Sequence, residues 1–241
     1  MSITTMSLFD NLLVVVLAGG RSSRMGGGHK CLLPLGDKLI IHRVLDRIDK
    51  KVRHVALSIS PDSDIAAHLS QSRFACSIYN NFTYLEDDYP AFSGPLAGIT
   101  TAIHHAKNHT LDWVVSVSAD TPFLPDNLIE KLLDTVSRSS ALIGIARSNS
   151  QTHPACGIWH ASLYPMFNQL LVQNQFRSLH QLLTLAPSIN VDFSCVEFDP
   201  FFNINTPADF SIANAILDTQ WNPPTYKETN PAQTKVDFQH Q

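Results

Sequence analysis

The chain has 241 residues, of which 44% are hydrophobic and 16% are charged, a composition typical of a globular protein. Its formal net charge of -4 at pH 7 argues against a general nucleic-acid binder and against a membrane-surface protein. A small anionic substrate held in a local basic pocket is compatible with that charge, so we expect neither nucleic acid nor membrane among the partners.

Cysteine usage and the start of the chain favour a reducing, cytoplasmic location. The four cysteines are far apart and form no CxxC pair, so they predict neither a zinc site nor a disulfide framework. The apolar run at 12–18 has only seven residues and follows no basic segment, unlike a signal peptide. No apolar run is long enough to span a bilayer.

Short apolar segments alternate with amphipathic ones along most of the chain. Valine-rich runs predict strands buried in a parallel sheet, and apolar residues at helical spacing predict helices. The last helix has its own start signal, with Thr206 as N-cap, Pro207 at the first position and Asp209 in a capping-box-like pattern. Strands are predicted at 12–18, 54–59, 75–79, 113–118, 141–146, 155–160 and 191–198, and helices at 39–48, 64–71, from 95, 125–136, 163–173, 178–185 and from about 206, with a long loop at 80–94.

This alternation predicts one α/β domain with a Rossmann-like, three-layer α/β/α arrangement around a mostly parallel sheet. We expect the domain to span residues 11–219. Residues 1–10 are predicted to be a flexible start, and the polar, proline-bearing residues 220–241 are predicted to be a disordered tail.

The stretch "LAGGRSSRMGGGHK" at 17–30 contains five of the ten glycines, together with Arg21, Arg24 and Lys30. It follows the first predicted strand, at the edge of a parallel sheet where ligands bind. Glycines let backbone N–H groups approach phosphate oxygens, and Arg24 and Lys30 can neutralise phosphate charge. A solvated surface loop is the alternative. The combination of a preceding buried strand, clustered glycines and three cations favours phosphate binding. Neither GxxxxGK[ST] nor GxGxxG is present.

Asp120 in "SVSADTPFLP" ends another strong apolar strand, at the same predicted edge. A carboxylate there can hold Mg²⁺, which needs only one or two carboxylates when a phosphate substrate supplies further oxygens. Taken alone, Asp120 is more typical of a helix cap or a turn before Pro122 than of a metal ligand. A phosphate-binding loop at the same edge favours the metal interpretation.

Two further stretches have polar or small residues in suggestive places. "SGPLAGI" offers Gly94 and Gly98 near a helix start and can approach a flat base, or it is an ordinary loop-to-helix junction. In "FNINTPADF", Asn203 and Asn205 point to one side of the chain and can bind phosphate or metal-bound water, or they form a turn before a capped helix.

In this order, the four stretches resemble the molybdenum cofactor guanylyltransferase family. "LAGGRSSRMGGGHK" looks like the family's nucleotide loop, and "GPLAGI", "DTP", "HPA" and "NINTP" match its later motifs, over about Val14 to Ala213. The resemblance implies a nucleotide-diphospho-sugar transferase-like fold. It also implies transfer of GMP from GTP to the terminal phosphate of molybdenum-molybdopterin, with release of pyrophosphate and with Mg²⁺ as cofactor.

The resemblance also implies roles for particular residues. The catalytic residues would be Arg24, Lys30 and Asp120, with Asp120 also holding the metal. The remaining nucleotide contacts would come from Leu17, Ala18, Gly19, Gly20, Ser58, Asn81, Gly94, Pro95, Leu96 and Gly98, and the molybdopterin side from His153, Arg177, Asn203 and Asn205.

Three positions depart from the family pattern. His29 stands where the family usually has aspartate, and Ser58 where it often has asparagine. Asn81 is the preferred match to an aspartate after the third strand, ahead of Asp87 and Asp88 in the following loop. GTP, molybdopterin and recipient molybdoenzymes or their chaperones are the implied partners. The alternatives are a molybdopterin cytidylyltransferase, a sugar-phosphate nucleotidyltransferase and a non-catalytic GTP-binding adaptor; a dinucleotide-dependent oxidoreductase is disfavoured by the missing GxGxxG.

Overall fold

A computed structural model describes residues 8–19, 29–61, 63–71, 82–87, 89, 94–173 and 179–219. Most of the predicted flexible start and the whole predicted tail at 220–241 lie outside these residues. The strands are β1 Leu12–Leu17, β2 Pro34–Leu35, β3 Lys38–Leu39, β4 His54–Ile59, β5 Thr83–Glu86, β6 Trp113–Ser118, β7 Ile143–Ser148, β8 Gln151–His160 and β9 Ser188–Asp192. The α-helices are α1 Ile40–Asp46, α2 Ile65–Gln71, α3 Pro95–Asn108, α4 Leu128–Ser137, α5 Tyr164–Val172, α6 Leu179–Leu182 and α7 Pro207–Asp218.

Seven strands form one sheet in the order β5-β4-β1-β6-β8-β7-β9, and β2 with β3 forms a separate small hairpin. Within the seven-stranded sheet only β8 runs antiparallel to its neighbours, which confirms the predicted mostly parallel sheet. The reversal follows from a tight turn, because Asn149 and Ser150 both have positive φ (45° and 65°) and Ser148 pairs with Gln151. Such two-residue turns join antiparallel strands.

The central strand β1 is buried on both faces, which explains its unbroken apolar sequence. Leu13 and Val15 pack in a cluster with α3 and α5, whereas Val14 and Val16 pack on the other face with α1 and α4. Successive residues of a strand point to opposite faces, so β1 contributes to both halves of the core. The result is the predicted three-layer arrangement.

The edge of the sheet differs from the sequence prediction. The predicted strand at 75–79 lies outside the described residues, while a strand forms at Thr83–Glu86, inside the predicted loop at 80–94. The loop prediction was therefore wrong at these four positions. Only Leu85 of this strand is buried, so the segment carries almost none of the apolar periodicity from which strands are predicted.

Other boundaries moved as well; for example, β8 begins at Gln151 instead of 155. The last strand ends at Asp192 instead of covering 191–198, and α4 begins at Leu128 instead of Pro125. The start of α7 is as predicted: Thr206 Oγ1 accepts a hydrogen bond from the Asp209 N–H at 3.2 Å, and Asp209 Oδ2 accepts one from the Thr206 N–H at 2.8 Å. No helix in the described part of the chain combines the length and the hydropathy needed to cross a membrane.

Candidate active site

A pocket of about 320 Å³ opens at the carboxyl edge of the sheet, where β1, β4 and β6 end side by side. The strand register pairs Leu17 with both Ser58 and Ser118, so the residues that follow these strands converge. Lining residues that the sequence had indicated are Leu17, Ala18, Gly19, Lys30, Ser58, Gly94, Pro95, Asp120 and Asn203. Asp87, the alternative to Asn81, lines the pocket as well, together with Cys31, Ser118, Ala119 and Ala155, which the sequence had not indicated.

Lys30 makes three hydrogen bonds on one side of this pocket. Its Nζ lies 2.7 Å from Asp120 Oδ2, 2.9 Å from the Ile204 carbonyl oxygen and 2.7 Å from Asn205 Oδ1. An ammonium group has three N–H donors, and each finds an acceptor here. The side chains of Lys30 and Asp120 are only 16% and 18% exposed, so the charge pair is partly shielded from water. Lys30 thereby ties the glycine-rich loop to two distant segments.

The Asp120 carboxylate is held from both sides. Ser118 Oγ donates to Asp120 Oδ1 at 2.6 Å, opposite the Lys30 contact on Oδ2, and the Asp120 carbonyl accepts the Ile204 N–H at 3.0 Å. A carboxylate has about four lone-pair sites, so capacity for a metal ligand bond is left. No group of three or more His, Cys, Asp or Glu suited to a metal occurs among the described residues. A single carboxylate would suit a hard divalent cation, since phosphate oxygens and water would complete its coordination.

Asn203 and Asn205 are brought to this side of the pocket by the segment before α7. Thr121 Oγ1 donates to Asn203 Oδ1 at 2.6 Å, and Asn205 Oδ1 accepts from Lys30. Asn203 lines the pocket, whereas Asn205 contacts the pocket residue Lys30 through a hydrogen bond. Both asparagines are therefore coupled to the residues around Asp120.

Asp87 lies on the opposite side of the pocket, and sequence reasoning had ranked it below Asn81. It directly follows β5, and its Oδ1 accepts a hydrogen bond from Ser58 Oγ at 3.1 Å. Asn81 lies outside the described residues. The position of Asp87 at the end of an edge strand could have identified it, but the sequence predicted a loop over this strand. In the structure, the hydrogen bond from Ser58 holds the carboxylate of Asp87, which lines the pocket.

The two glycines of "GPLAGI" serve different purposes. Gly94 has a φ of +119°, and a Cβ built on it meets nothing within 4 Å, so this backbone is open to the pocket. The space beside Gly98 is already occupied, because a Cβ built there would lie 2.4 Å from Ser58 Oγ and 3.0 Å from Leu17 Cδ2. Gly98 and the neighbouring Leu96, which packs in the core on the α3 face, are not in the pocket wall.

His153 lies near the pocket but is not among its lining residues. Its Nε2 is 2.6 Å from Ser148 Oγ, and its ring stacks on Phe201 with a centroid distance of 4.6 Å. Burial lowers the pKa of the His153 imidazole, against an opposing effect of Asp199. Of the other predicted site residues, Gly20, Arg24, Asn81 and Arg177 lie outside the described residues.

His29, which departs from the family pattern, faces α2 and its start. Its Nε2 lies 2.8 Å from Asp64 Oδ1 and 3.4 Å from Ser63 Oγ. The side chain is 18% exposed, and it does not line the pocket. In the structure, His29 holds the end of the glycine-rich loop against the residues that precede α2.

The chain is similar to known proteins over most of its length. The chain matches the family model of the MobA-like NTP transferase domain over residues 14–187. It is 34% identical over 209 residues to a molybdenum cofactor guanylyltransferase of Mesorhizobium japonicum, with 85% of this chain and 95% of the relative covered.

Two solved structures share the fold. A molybdopterin-guanine dinucleotide biosynthesis protein A from Archaeoglobus fulgidus is similar with a TM-score of 0.67 at 23% identity, covering 86% of this chain and 99% of the other. A 4-diphosphocytidyl-2C-methyl-D-erythritol synthase from Anaerococcus prevotii has a TM-score of 0.66 at 15% identity, covering 89% and 100%. The fold is thus that of nucleotide-diphospho-sugar transferase-like proteins.

Proposed function

The chain is a member of the MobA-like NTP transferase family, and from this premise we propose that it transfers GMP from GTP to the molybdenum cofactor. The acceptor is the terminal phosphate of molybdenum-molybdopterin, and the products are the guanine dinucleotide form of the cofactor and pyrophosphate. The observation that carries the proposal is the contact of Lys30 with Asp120 in a pocket at the carboxyl edge of the sheet. A cation from the glycine-rich loop, which can neutralise phosphate charge, and a carboxylate, which can hold a divalent metal, meet there.

The reaction needs no protein nucleophile. A phosphate oxygen of the cofactor forms a bond to the α-phosphorus of GTP, the bond from that phosphorus to the bridging oxygen breaks, and pyrophosphate leaves with the electron pair. Catalysis then comes from positioning the two reactants and from neutralising their charge.

Lys30 and Asp120 divide this electrostatic work. The three donors of Lys30 are taken within the protein, so Lys30 would act on the phosphates and the departing pyrophosphate through its positive charge. Arg24 from the same loop would add hydrogen bonds to the phosphates. Enzymes of this family generally use a divalent metal; we propose Mg²⁺ at Asp120, where it would supply positive charge to the phosphate oxygens. Ser118 and Lys30 hold the two carboxylate oxygens of Asp120 in place, so its orientation is set before substrate arrives.

The nucleoside end of GTP is assigned to the opposite wall. Gly19, Gly94 and Pro95 offer a backbone surface to the base, while Asp87, held by Ser58, accepts hydrogen bonds from base or ribose. Gly20 and Asn81 are retained as nucleotide contacts. Asn203, Asn205 and Arg177 are assigned to the molybdopterin side.

Location and partners follow the same proposal. We place the enzyme in the cytoplasm, with its catalytic unit within residues 11–219, and propose that recipient molybdoenzymes or their chaperones accept the product.

The test is incubation of the purified protein with molybdenum-molybdopterin, GTP and Mg²⁺, followed by mass analysis of the pterin and assay of pyrophosphate. We expect a mass gain of one GMP per pterin and stoichiometric pyrophosphate, with no product when GTP is replaced by CTP. A CMP adduct instead would indicate a cytidylyltransferase. GTP binding without pyrophosphate release, with authentic cofactor present, would indicate a non-catalytic adaptor and overturn the proposal.

A further inference from the structure

We propose that Ser148, His153 and Asp199, the Ser148 cluster, position the segment 199–205 for catalysis, and that His153 acts through this cluster instead of contacting substrate. The inference rests on the proposed function for its kinetic consequences, but the cluster itself is defined by contacts within the protein. It joins the β7–β8 turn region to the segment that carries Asn203 and Asn205 into the site.

Ser148 is the centre of the cluster. Its hydroxyl donates to Asp199 Oδ1 at 2.8 Å and lies 2.6 Å from His153 Nε2. A serine has one proton, so when Ser148 donates to Asp199 it must accept from a protonated Nε2 of His153. Ser148 is only 1% exposed. Removing its hydroxyl therefore costs His153 and Asp199 one hydrogen bond each, at side chains that are only 16% and 26% exposed.

Phe201 is held by two members of the cluster, Asp199 and His153. Its N–H donates to Asp199 Oδ1 at 2.9 Å, and its ring stacks on the His153 ring with planes 18° apart. Phe201 is 3% exposed and also contacts Phe193 edge-on at a centroid distance of 5.3 Å. Backbone and side chain of Phe201 are thus both held by residues outside the active site.

Three residues further along, the same segment meets the catalytic pair. The Ile204 N–H donates to the Asp120 carbonyl at 3.0 Å, and the Ile204 carbonyl accepts from Lys30 at 2.9 Å. Three residues of chain span at most about 10 Å, so a shift of Phe201 has little slack before it moves Ile204 and Asn203. Displacements of about 1 Å at a reacting centre can cost roughly a hundredfold in rate.

The contacts of His153 argue against a direct role with substrate. The ring does not line the pocket, one nitrogen is engaged by Ser148 and one face is covered by Phe201. Asp199 Oδ2 lies 4.0 Å from Nε2 and is the charged group that faces it. What His153 contributes is a hydrogen-bond donor and a flat surface for Phe201.

The test compares Ser148→Ala with Ser116→Ala. Ser116 is a matched control, since it is another fully buried serine of the same sheet, and it accepts a hydrogen bond from Trp159 Nε1 at 2.9 Å without contacting segment 199–205. We expect Ser148→Ala to lower kcat by about 10- to 100-fold and to change KM for GTP less than about threefold. Ser116→Ala is expected to keep kcat within about twofold while losing comparable stability.

Substitutions of His153 separate positioning from substrate contact. His153→Gln retains a donor that can reach Ser148, and we expect its kcat within about threefold of wild type, whereas His153→Leu should match Ser148→Ala. An increase in KM for molybdopterin in His153→Leu that Ser148→Ala does not share would overturn the inference. So would equal kcat values for Ser148→Ala and Ser116→Ala.

An activity-independent measurement keeps this inference separate from the proposed function. Amide hydrogen exchange without substrates should show Phe201 and Ile204 exchanging at least about tenfold faster in Ser148→Ala than in Ser116→Ala. Unchanged exchange at both amides overturns the positioning role even if no turnover is detected. Absence of turnover in the wild type, with exchange behaving as expected, contradicts the proposed function alone.

Discussion

Lys30 Nζ lies 2.7 Å from Asp120 Oδ2, although 90 positions of the chain separate the two residues. The contact joins the end of the glycine-rich loop to the residues that follow β6, and Ile204 and Asn205 take the other two donors of the ammonium group. Charge neutralisation and loop anchoring are therefore achieved by one side chain. Three motifs that are far apart in the sequence form one hydrogen-bonded unit.

The first prediction concerns Asp120. Replacing it by asparagine keeps the shape, and the amide oxygen can still accept from Ser118, but the negative charge that we propose holds the metal is lost. Turnover should fall by at least about a hundredfold, a loss typical of electrostatic groups that act in the transition state. Pyrophosphate release at saturating GTP and cofactor measures it. Asp126→Asn removes a carboxylate that pairs with Arg47 2.7 Å away at the surface and should leave turnover unchanged.

Lys30→Ala should also lower turnover by about a hundredfold or more while the fold survives. Lys30→Arg is the informative companion, because a planar guanidinium cannot reproduce three donors radiating from one nitrogen. We expect the arginine variant to regain less than about a tenth of the lost activity. Circular dichroism and thermal unfolding would check that both variants are folded. Near-normal turnover in the alanine variant would contradict the role given to Lys30.

Gly98→Ala tests the link between Gly98, Ser58 and Asp87. The new Cβ would come within 2.4 Å of Ser58 Oγ, 3.0 Å of Leu17 Cδ2 and 3.2 Å of Ser58 Cβ. The two carbon contacts need shifts of only a few tenths of an ångström, whereas the hydroxyl must rotate and release Asp87. The loss of about one hydrogen bond should raise KM for GTP by roughly 3- to 10-fold with kcat less affected. Ser58→Ala should have a similar effect for the same reason.

A double-mutant cycle gives the control for this pair. Since both single changes remove the same bond to Asp87, Ser58→Ala combined with Gly98→Ala should raise KM for GTP no more than either alone. Full additivity would mean that Gly98 acts independently of Ser58, against the geometry described above.

The sequence predicted the fold better than it predicted the pocket wall. Strand β1 and helix α7 carried strong signals, a doubly buried apolar run and a complete capping box, and both were found. Strand β5 has one buried side chain in four, so its carboxyl end, and Asp87 with it, could not be located from periodicity. The order of the motifs pointed to Lys30 and Asp120 as residues of one site. Their direct contact depends on long-range packing and was not foreseen.

The α7 capping box yields a stability prediction. Thr206→Ala removes the acceptor of the Asp209 N–H and should lower the free energy of unfolding by about 1 kcal/mol. Urea unfolding measures this. Ser211→Ala is a suitable control, because its hydroxyl only bonds the Pro207 carbonyl from an exposed position on the same helix, and its effect should stay within about 0.5 kcal/mol. Equal losses in the two variants would show that the cap contributes nothing specific.

The last prediction follows from two buried thiols. Burial raises the pKa of Cys31 to about 12 and that of Cys156 to about 12, from 9.0 in the unfolded chain. Between these pKa values the unfolded state has released protons that the folded state retains. The stability that the two protonated thiols contribute is therefore fully present below about pH 9 and is lost as pH rises toward 12. Each thiol contributes a slope of about 1.4 kcal/mol per pH unit in that window.

Urea unfolding of wild type and Cys156→Ala between pH 8 and about 11 isolates one thiol, because lysines and tyrosines titrate in both proteins. The alanine variant starts less stable but should lose stability less steeply with pH, by about 1.4 kcal/mol per unit above pH 9. Cys195→Ala serves as the reference, since Cys195 is partly exposed and should alter the slope less. Parallel curves for wild type and Cys156→Ala would show that the folded thiol ionises as readily as the unfolded one.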